Sequence, residues 1–315
     1  MLVRTMRALR RLLIWNKRKF LVGSLLALAA VQFIRWRARM CETAFAYYLE
    51  SMNAQERAAL IEHRLRQRAA ENVASLSPDS AARAFPEALD LVLSGGGFKN
   101  CYSAGVALAL KLLYAKHNRG EVRRIAGASA GAQVALGIVN ESYGAMLLWC
   151  MSVAATIQKY PLMQPFPMWR HFWHRLAQLS VPPAGKLHVS ITRLGWYGEG
   201  FFMRNSVVSD FVDADDLGEA LLSSGALPWV LCEGLVRQFR GEWVTDGGAT
   251  QNTPVFRDGV RPQLIVRFGH LPRRLQKVVY FSNDEMLQLV ERGMDDLTAF
   301  VRDGPAAAPN LTLLR

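Results

Sequence analysis

The stretch "RIAGASAGAQVALGIV", Arg124–Val139, changes character twice within a few residues. An apolar strand-like run, Arg123–Ala126, leads into Gly127-Ala128-Ser129-Ala130-Gly131. A helix-compatible run of small and apolar residues, Ala132-Gln133-Val134-Ala135-Leu136, follows directly. Glycine on each side of Ser129 lets a sharp strand-to-helix turn form without a Cβ clash. The serine then stands exposed at a helix amino terminus, where the peptide dipoles favour a developing negative charge. Strand, elbow and helix make one βα unit.

A second such unit lies upstream in "LDLVLSGGGFKN", Leu89–Asn100. Its apolar strand Leu89–Leu93 ends in Gly95-Gly96-Gly97, which bares backbone N–H groups. Such a loop holds a phosphate or an oxyanion. A nucleoside-triphosphate loop needs Ser or Thr after the lysine, and none follows Lys99. A dinucleotide loop needs a last glycine, which this run lacks. An oxyanion hole needs only two or so N–H groups converging about 3 Å from the reacting oxygen. Two neighbouring parallel strands would put the glycine loop and Ser129 on the same sheet edge, with Lys99 adding positive charge. Further strands are expected at Lys186–Arg193, Gln263–Phe268 and Lys277–Phe281, alternating with helical runs. That alternation predicts an α/β fold with a largely parallel sheet. Asn283–Val301 reads as a terminal amphipathic helix, and the last dozen residues read as loose.

A nucleophilic serine needs a base. His63, His117, His171, His174, His188 and His270 stand in no compelling motif. A carboxylate does, in "EWVTDGGATQNTPV", Glu242–Val255. Asp246 ends a strand-like run, Gly247-Gly248 lets the chain turn, and Asn252 and Pro254 stiffen the next turn. Two arrangements stay open. Asp246 acts on Ser129 directly, or Ser129, Asp246 and His270 form a triad in the chain order of α/β-hydrolases.

The formal net charge is +12, but it is unevenly placed. Ten of the 38 basic residues and none of the 26 acidic ones lie in residues 1–41. What remains is near neutral and has no basic stripe, which argues against a nucleic-acid surface. Four scattered cysteines without a C-x-x-C pair argue against zinc or a disulfide framework and fit a reducing compartment. Within 1–41, Met6, Leu9 and Leu13 share one helix face and Arg4, Arg7 and Arg11 another. The uncharged Phe20–Ile34 follows between cationic flanks. As a helix it spans about 22 Å, short of the ~30 Å hydrocarbon core. The segment reads foremost as a membrane anchor, spanning or re-entrant. An organelle transit sequence, a cleaved signal and a core helix are the other readings. Residues 42–88 read as a helical spacer and a proline-containing linker. The aromatic-rich Tyr160–Leu176 fits ordinary core packing or a lipid-facing lid.

Taken together, "LSGGGFK" (Leu93–Lys99), "GASAG" (Gly127–Gly131) and "DGG" (Asp246–Gly248) resemble, in order and spacing, the patatin-like phospholipases. "ALLSSGALPW" (Ala220–Trp229) is similar to that family's small-residue helix ending in proline. Ser190–Ser206 is similar to the adiponutrin and adipose triglyceride lipase branch. The resemblance implies a three-layer α/β/α sandwich over about residues 89–270, with a helical extension at 271–315. It implies a metal-free, cofactor-free Ser129–Asp246 dyad. The oxyanion hole would be Gly96 and Gly97, with Gly95 shaping the turn and Lys99 beside it. Gly127 and Gly131 would frame the nucleophile, and Gly247 and Gly248 the proton-acceptor turn. One position departs from the pattern: Asn100 replaces the usual glycine, and a left-handed backbone is expected there. The expected function is hydrolysis of glycerolipid esters at an intracellular membrane or lipid-droplet surface. Acyl transfer on the same fold, and a catalytically weak lipid-binding protein, are the alternatives.

Overall fold

The computed structural model describes residues 54–159, 166–197, 200–227, 235–277 and 281–315. The chain runs through helices α1 (Ala54–Ala74) and α2 (Pro78–Ala84), strand β1 (Ala88–Leu93), helix α3 (Asn100–Lys116) and strand β2 (Glu121–Ala128). Helices α4 (Ala130–Val139), α5 (Tyr143–Lys159) and α6 (Phe166–Leu179) follow, then strands β3 (Leu187–Tyr197) and β4 (Gly200–Val208). After helix α7 (Ala214–Ser224) come strands β5 (Arg237–Phe239) and β6 (Glu242–Thr245), and the short helix α8 (Gly248–Gln251). Strand β7 (Gln263–Val266), helix α9 (Asn283–Asp303) and strand β8 (Leu311–Leu314) complete it.

The sheet order is β5-β6-β3-β2-β1-β7-β8, with β4 also paired to β3. Its centre, β3-β2-β1-β7, is parallel, as the alternating pattern requires. Around it β4 and β6 run antiparallel to β3, β5 to β6, and β8 to β7. One face presents Leu89, Leu91, Leu93, Ile125, Val189 and Leu264 to the main helical core. The residues between them, Val92, Ala126 and Ile265, are also buried. Across that second face runs the segment carrying α8 and residues 252–258. It is held by Thr250 Oγ1 on Thr192, Thr253 Oγ1 on Ser94 Oγ, and Asp258 on Arg124. Strands buried on both sides read as continuous apolar runs, which is why β1 and β7 were legible.

Several expectations change. Helix α1 is no spacer: Leu65, Ala69 and Val73 enter the common core, and Lys116 Nζ donates to Val73, Ala74 and Leu76 carbonyls at its end. The linker holds a helix capped by Ser77, and Phe85 stacks on Phe300. Nor is 271–315 an appendage. A Cβ on Gly105 would lie 1.9 Å from the Val290 carbonyl oxygen, and one on Gly293 2.1 Å from that of Tyr102. Two glycines thus bring the backbones of α3 and α9 together, while Met286, Leu289 and Phe300 are buried. Each such side chain contributes about 1.5–3 kcal/mol. The last residues are not loose, because β8 pairs along the whole of β7. Lys277 and Phe281 lie in no strand, and 278–280 lie outside the described residues. The anchor reading of 1–41 also lies outside them. No helix among the described residues is long and apolar enough to cross a membrane.

Candidate active site

Parallel pairing of β1 with β2 sets Leu93 against Gly127, so the glycine loop and the elbow leave the sheet side by side. Ser129 has φ 54° and ψ −132°, a conformation costly for a residue with a side chain. It persists because its neighbours leave no alternative. A Cβ on Gly131 would sit 2.7 Å from the Leu93 oxygen and 2.8 Å from that of Ser94, so the elbow presses directly on the glycine loop.

Asp246 arrives from the opposite direction. Strand β6 runs antiparallel to β3, with Thr245 opposite Thr192, while Ser190 of β3 pairs Ala128 of β2. Asp246 therefore stops two strands across from Ser129, at its level. Ser129 Oγ donates to Asp246 Oδ2 at 2.7 Å, and Gly248 N–H donates to Oδ1 at 2.7 Å. Thr192 Oγ1 holds the Asp246 carbonyl at 2.7 Å. Burial pushes the Asp246 carboxyl above the usual aspartate range, opposed by the hydrogen bonds from Ser129 and Gly248. A raised carboxylate pKa is what a general base working near neutrality needs. Among the described residues no imidazole stands between the two side chains. His270 is exposed and its backbone N–H bonds Asn310.

In the glycine loop, Gly95 N–H donates to the Asn252 carbonyl at 2.9 Å, so it is not a free donor. Asn252 Nδ2 in turn holds the Gly95 carbonyl at 3.2 Å. Pinning that carbonyl turns the N–H of the same peptide, Gly96 N–H, the other way. Among the described residues Gly96 and Gly97 N–H meet no acceptor. The left-handed position is Gly97, at φ 59°, not Asn100. Asn100 has φ −67° and ψ −9°, an ordinary helical residue. Its side chain explains its presence: Nδ2 donates to the Ser94 carbonyl at 3.1 Å, and Oδ1 accepts from Ser103 Oγ at 3.1 Å. Lys99 Nζ lies 5.6 Å from the Phe268 ring centre, and burial lowers its pKa.

Ser224 is the residue the sequence reading left without a role. Its hydroxyl accepts from Ser129 N–H at 2.9 Å and donates to the Ser190 carbonyl at 2.6 Å. Its own carbonyl accepts from Gly247 N–H at 2.9 Å. Gly247 is required there, because a Cβ would lie 2.0 Å from the Ser190 oxygen. One buried serine thus ties the elbow, strand β3 and the acid's turn together. The signal was a polar pair, Ser223-Ser224, ending an apolar helix. In the aromatic stretch, Trp173 packs with Trp149 and Phe172 in the core, and 160–165 lie outside the described residues. A cavity of about 500 Å³ opens by Glu121, Lys186 and Tyr114, at the far edge of β2, and touches none of the site residues.

Residues 91–187 match the family model described as patatin-like phospholipase. The chain is 32% identical over 175 residues to the 1-acylglycerol-3-phosphate O-acyltransferase Pnpla3 of Mus musculus. That alignment covers 52% of this chain and 40% of the mouse protein, so the chain spans well under half of that relative.

Proposed function

We propose that this chain, which belongs to the patatin-like phospholipase family of lipid-modifying enzymes, is a serine acyl hydrolase that cleaves glycerolipid carboxylic esters. The observation that carries this reading is the direct 2.7 Å hydrogen bond from Ser129 Oγ to Asp246 Oδ2, beside the unengaged N–H groups of Gly96 and Gly97. Ser129 Oγ attacks the ester carbonyl as its proton passes to Asp246. The carbonyl oxygen, now negative, is stabilised by Gly96 and Gly97 N–H, each such donor worth about 3 kcal/mol. The tetrahedral adduct collapses, the C–O bond breaks, and Asp246 returns the proton to the departing alcohol. Water then attacks the acyl-serine with Asp246 accepting its proton, releasing the fatty acid and restoring Ser129. No metal or cofactor takes part in this scheme. The basic segment 1–41 holds the enzyme at an intracellular membrane or lipid droplet.

Acyl transfer is a second reading, favoured by the mouse relative's name, an acyltransferase. The same acyl-serine would be captured by the hydroxyl of a lysolipid in place of water. Lipid-class profiling separates the two: hydrolysis gives free fatty acid, whereas transfer consumes added lysolipid and elongates it by one acyl chain. Ser129→Ala is expected to abolish both reactions and labelling by a fluorophosphonate probe. His270→Ala is expected to keep full activity. Retained turnover in Ser129→Ala would refute the nucleophile, and a dead His270→Ala would restore the triad.

A further inference from the structure

The loop that leaves β7 carries cations the proposed chemistry does not use. Val266 pairs Leu93, so Arg267 emerges level with Ser94, on the same sheet edge as the glycine loop. The next residue, Phe268, forms the loop's wall: a Cβ on Gly96 would lie 2.7 Å from its ring. From there the chain alternates in a definite way. Phe268, Leu271 and Leu275 are buried, while Arg267, His270, Arg273 and Arg274 are exposed. Its backbone is stapled. Arg267 N–H donates to the Asn310 carbonyl and His270 N–H to Asn310 Oδ1, both at 2.9 Å. Gln276 Nε2 donates to the Leu271 carbonyl at 2.8 Å. A single turn of 3₁₀ helix, Arg273–Leu275, fixes the tip.

Several arginines elsewhere meet carboxylates, as Arg124 meets Asp90 and Asp258, and Arg240 meets Asp216. Lys277, at the end of this loop, pairs with Glu285. Among the described residues no carboxylate pairs with Arg267, Arg273 or Arg274. Like charges gathered on a rigid loop repel one another and gain only when an external anion faces them.

We infer that the Arg267–Arg274 loop docks the active-site edge on an anionic phospholipid surface. The inference rests on the proposed ester chemistry for its direction, since that chemistry places the scissile bond at this edge. A lipid surface fits better than nucleic acid because the cations stand on the loop whose Phe268 walls the glycine loop, and among the described residues no base-reading element adjoins them. It also distinguishes a charged bilayer from a neutral triacylglycerol droplet, which offers the loop little to hold. Near an anionic leaflet each cation is worth about fivefold in partition, so three give on the order of a hundredfold.

The test uses the full chain and an R267Q/R273Q/R274Q variant, whose changed side chains are exposed and hold none of the loop's staples. Vesicles are phosphatidylcholine alone, or mixed about two to one with phosphatidylserine. Hydrogen exchange of the 267–277 peptide should slow on the mixed vesicles only, and less at high salt. Wild-type phospholipid hydrolysis should rise with phosphatidylserine. In the variant the loop's protection should vanish and the gain in hydrolysis should fall to the part that the cations of residues 1–41 supply, with the rate on a soluble short-chain ester unchanged. The cations of residues 1–41 are present in both proteins, so the comparison isolates the loop. Unslowed exchange, a variant with the full wild-type phosphatidylserine response, or protection by duplex nucleic acid but not vesicles would overturn the inference. Exchange needs no turnover. Protection of the loop without any ester hydrolysis would sink the proposed reaction and leave the docking standing.

Discussion

Ser224→Ala removes one oxygen and breaks two hydrogen bonds. Ser129 N–H loses its acceptor at 2.9 Å, and the Ser190 carbonyl loses its donor at 2.6 Å. Ser224 and Ser190 are both fully buried, so water does not readily replace the hydroxyl. A stranded buried polar group costs about 1–3 kcal/mol, giving about 2–6 kcal/mol for the two. The bond from Gly247 N–H to the Ser224 carbonyl is backbone and survives. A domain with about 5–15 kcal/mol of stability is weakened and stays folded wherever its stability exceeds that loss. Catalysis should suffer separately. Ser129 holds a backbone conformation that costs about 1–3 kcal/mol and survives only under constraint. Releasing its N–H lets the elbow relax and draws Oγ away from Asp246. A misplacement of about 1 Å costs on the order of a hundredfold in rate. Urea unfolding followed by circular dichroism gives the stability change, read from the midpoint at constant slope. Turnover of a soluble short-chain ester gives kcat and KM. The expected result is a lower midpoint and a kcat reduced about a hundredfold at unchanged KM. A variant within about 0.5 kcal/mol of wild type with full kcat would show that Ser224 merely fills space.

Asp246→Asn should cost about 10²–10⁴ in kcat, since the amide cannot accept the serine proton. Its effect on stability has the opposite sign. The folded-state pKa is raised by burial, so the carboxylate is carried at a cost that is absent below the ordinary aspartate value of 3.8 and grows as pH rises through the raised pKa. Thermal unfolding should therefore find the Asn variant more stable than wild type near neutrality and equal to it in strong acid. An equal stability difference at every pH would contradict the desolvation argument. The same titration should place the acid limb of the wild-type rate profile above the usual aspartate range. Asn100→Asp keeps the shape of the side chain but turns the group facing the Ser94 carbonyl from donor to acceptor. The glycine loop should shift, with kcat down about tenfold to a hundredfold and KM unchanged. Full activity in this variant would show that Asn100 does not brace the loop.

The α/β character, the two βα units and the candidate serine, acid and glycine loop were legible because each is a local pattern. Gly127 and Gly131 bracket Ser129 within five residues, and β1 and β7 announce themselves as apolar runs. Other features depend on contacts distant in sequence. Asn100 looked like a substitute for a left-handed glycine, yet Gly97 takes that conformation and Asn100 works through its amide. Helix α1 looked like a spacer because its polar composition hides the few residues, Leu65, Ala69 and Val73, that it buries. The last residues looked loose because four residues, Leu311–Leu314, are a strand only when β7 is beside them.

The sequence by itself determined where the chain turns, because the left-handed φ that Gly97 takes is decided within a few bonds of the chain, whereas the carbonyls that crowd Gly131 and Gly247 come from distant strands. It could not determine how those turns meet. Asp246 is 117 residues from Ser129, and its meaning depends on β6 running against β3 while β2 runs with it. Only that antiparallel entry returns the acid to the level of the elbow. Only the folded sheet brings Ser224, Ser190 and Gly247 within hydrogen-bond reach of it. A hydrogen bond acts over about 3 Å, whereas chain separation sets no such distance, so the geometry of the Ser129–Asp246 pair belongs to the tertiary structure.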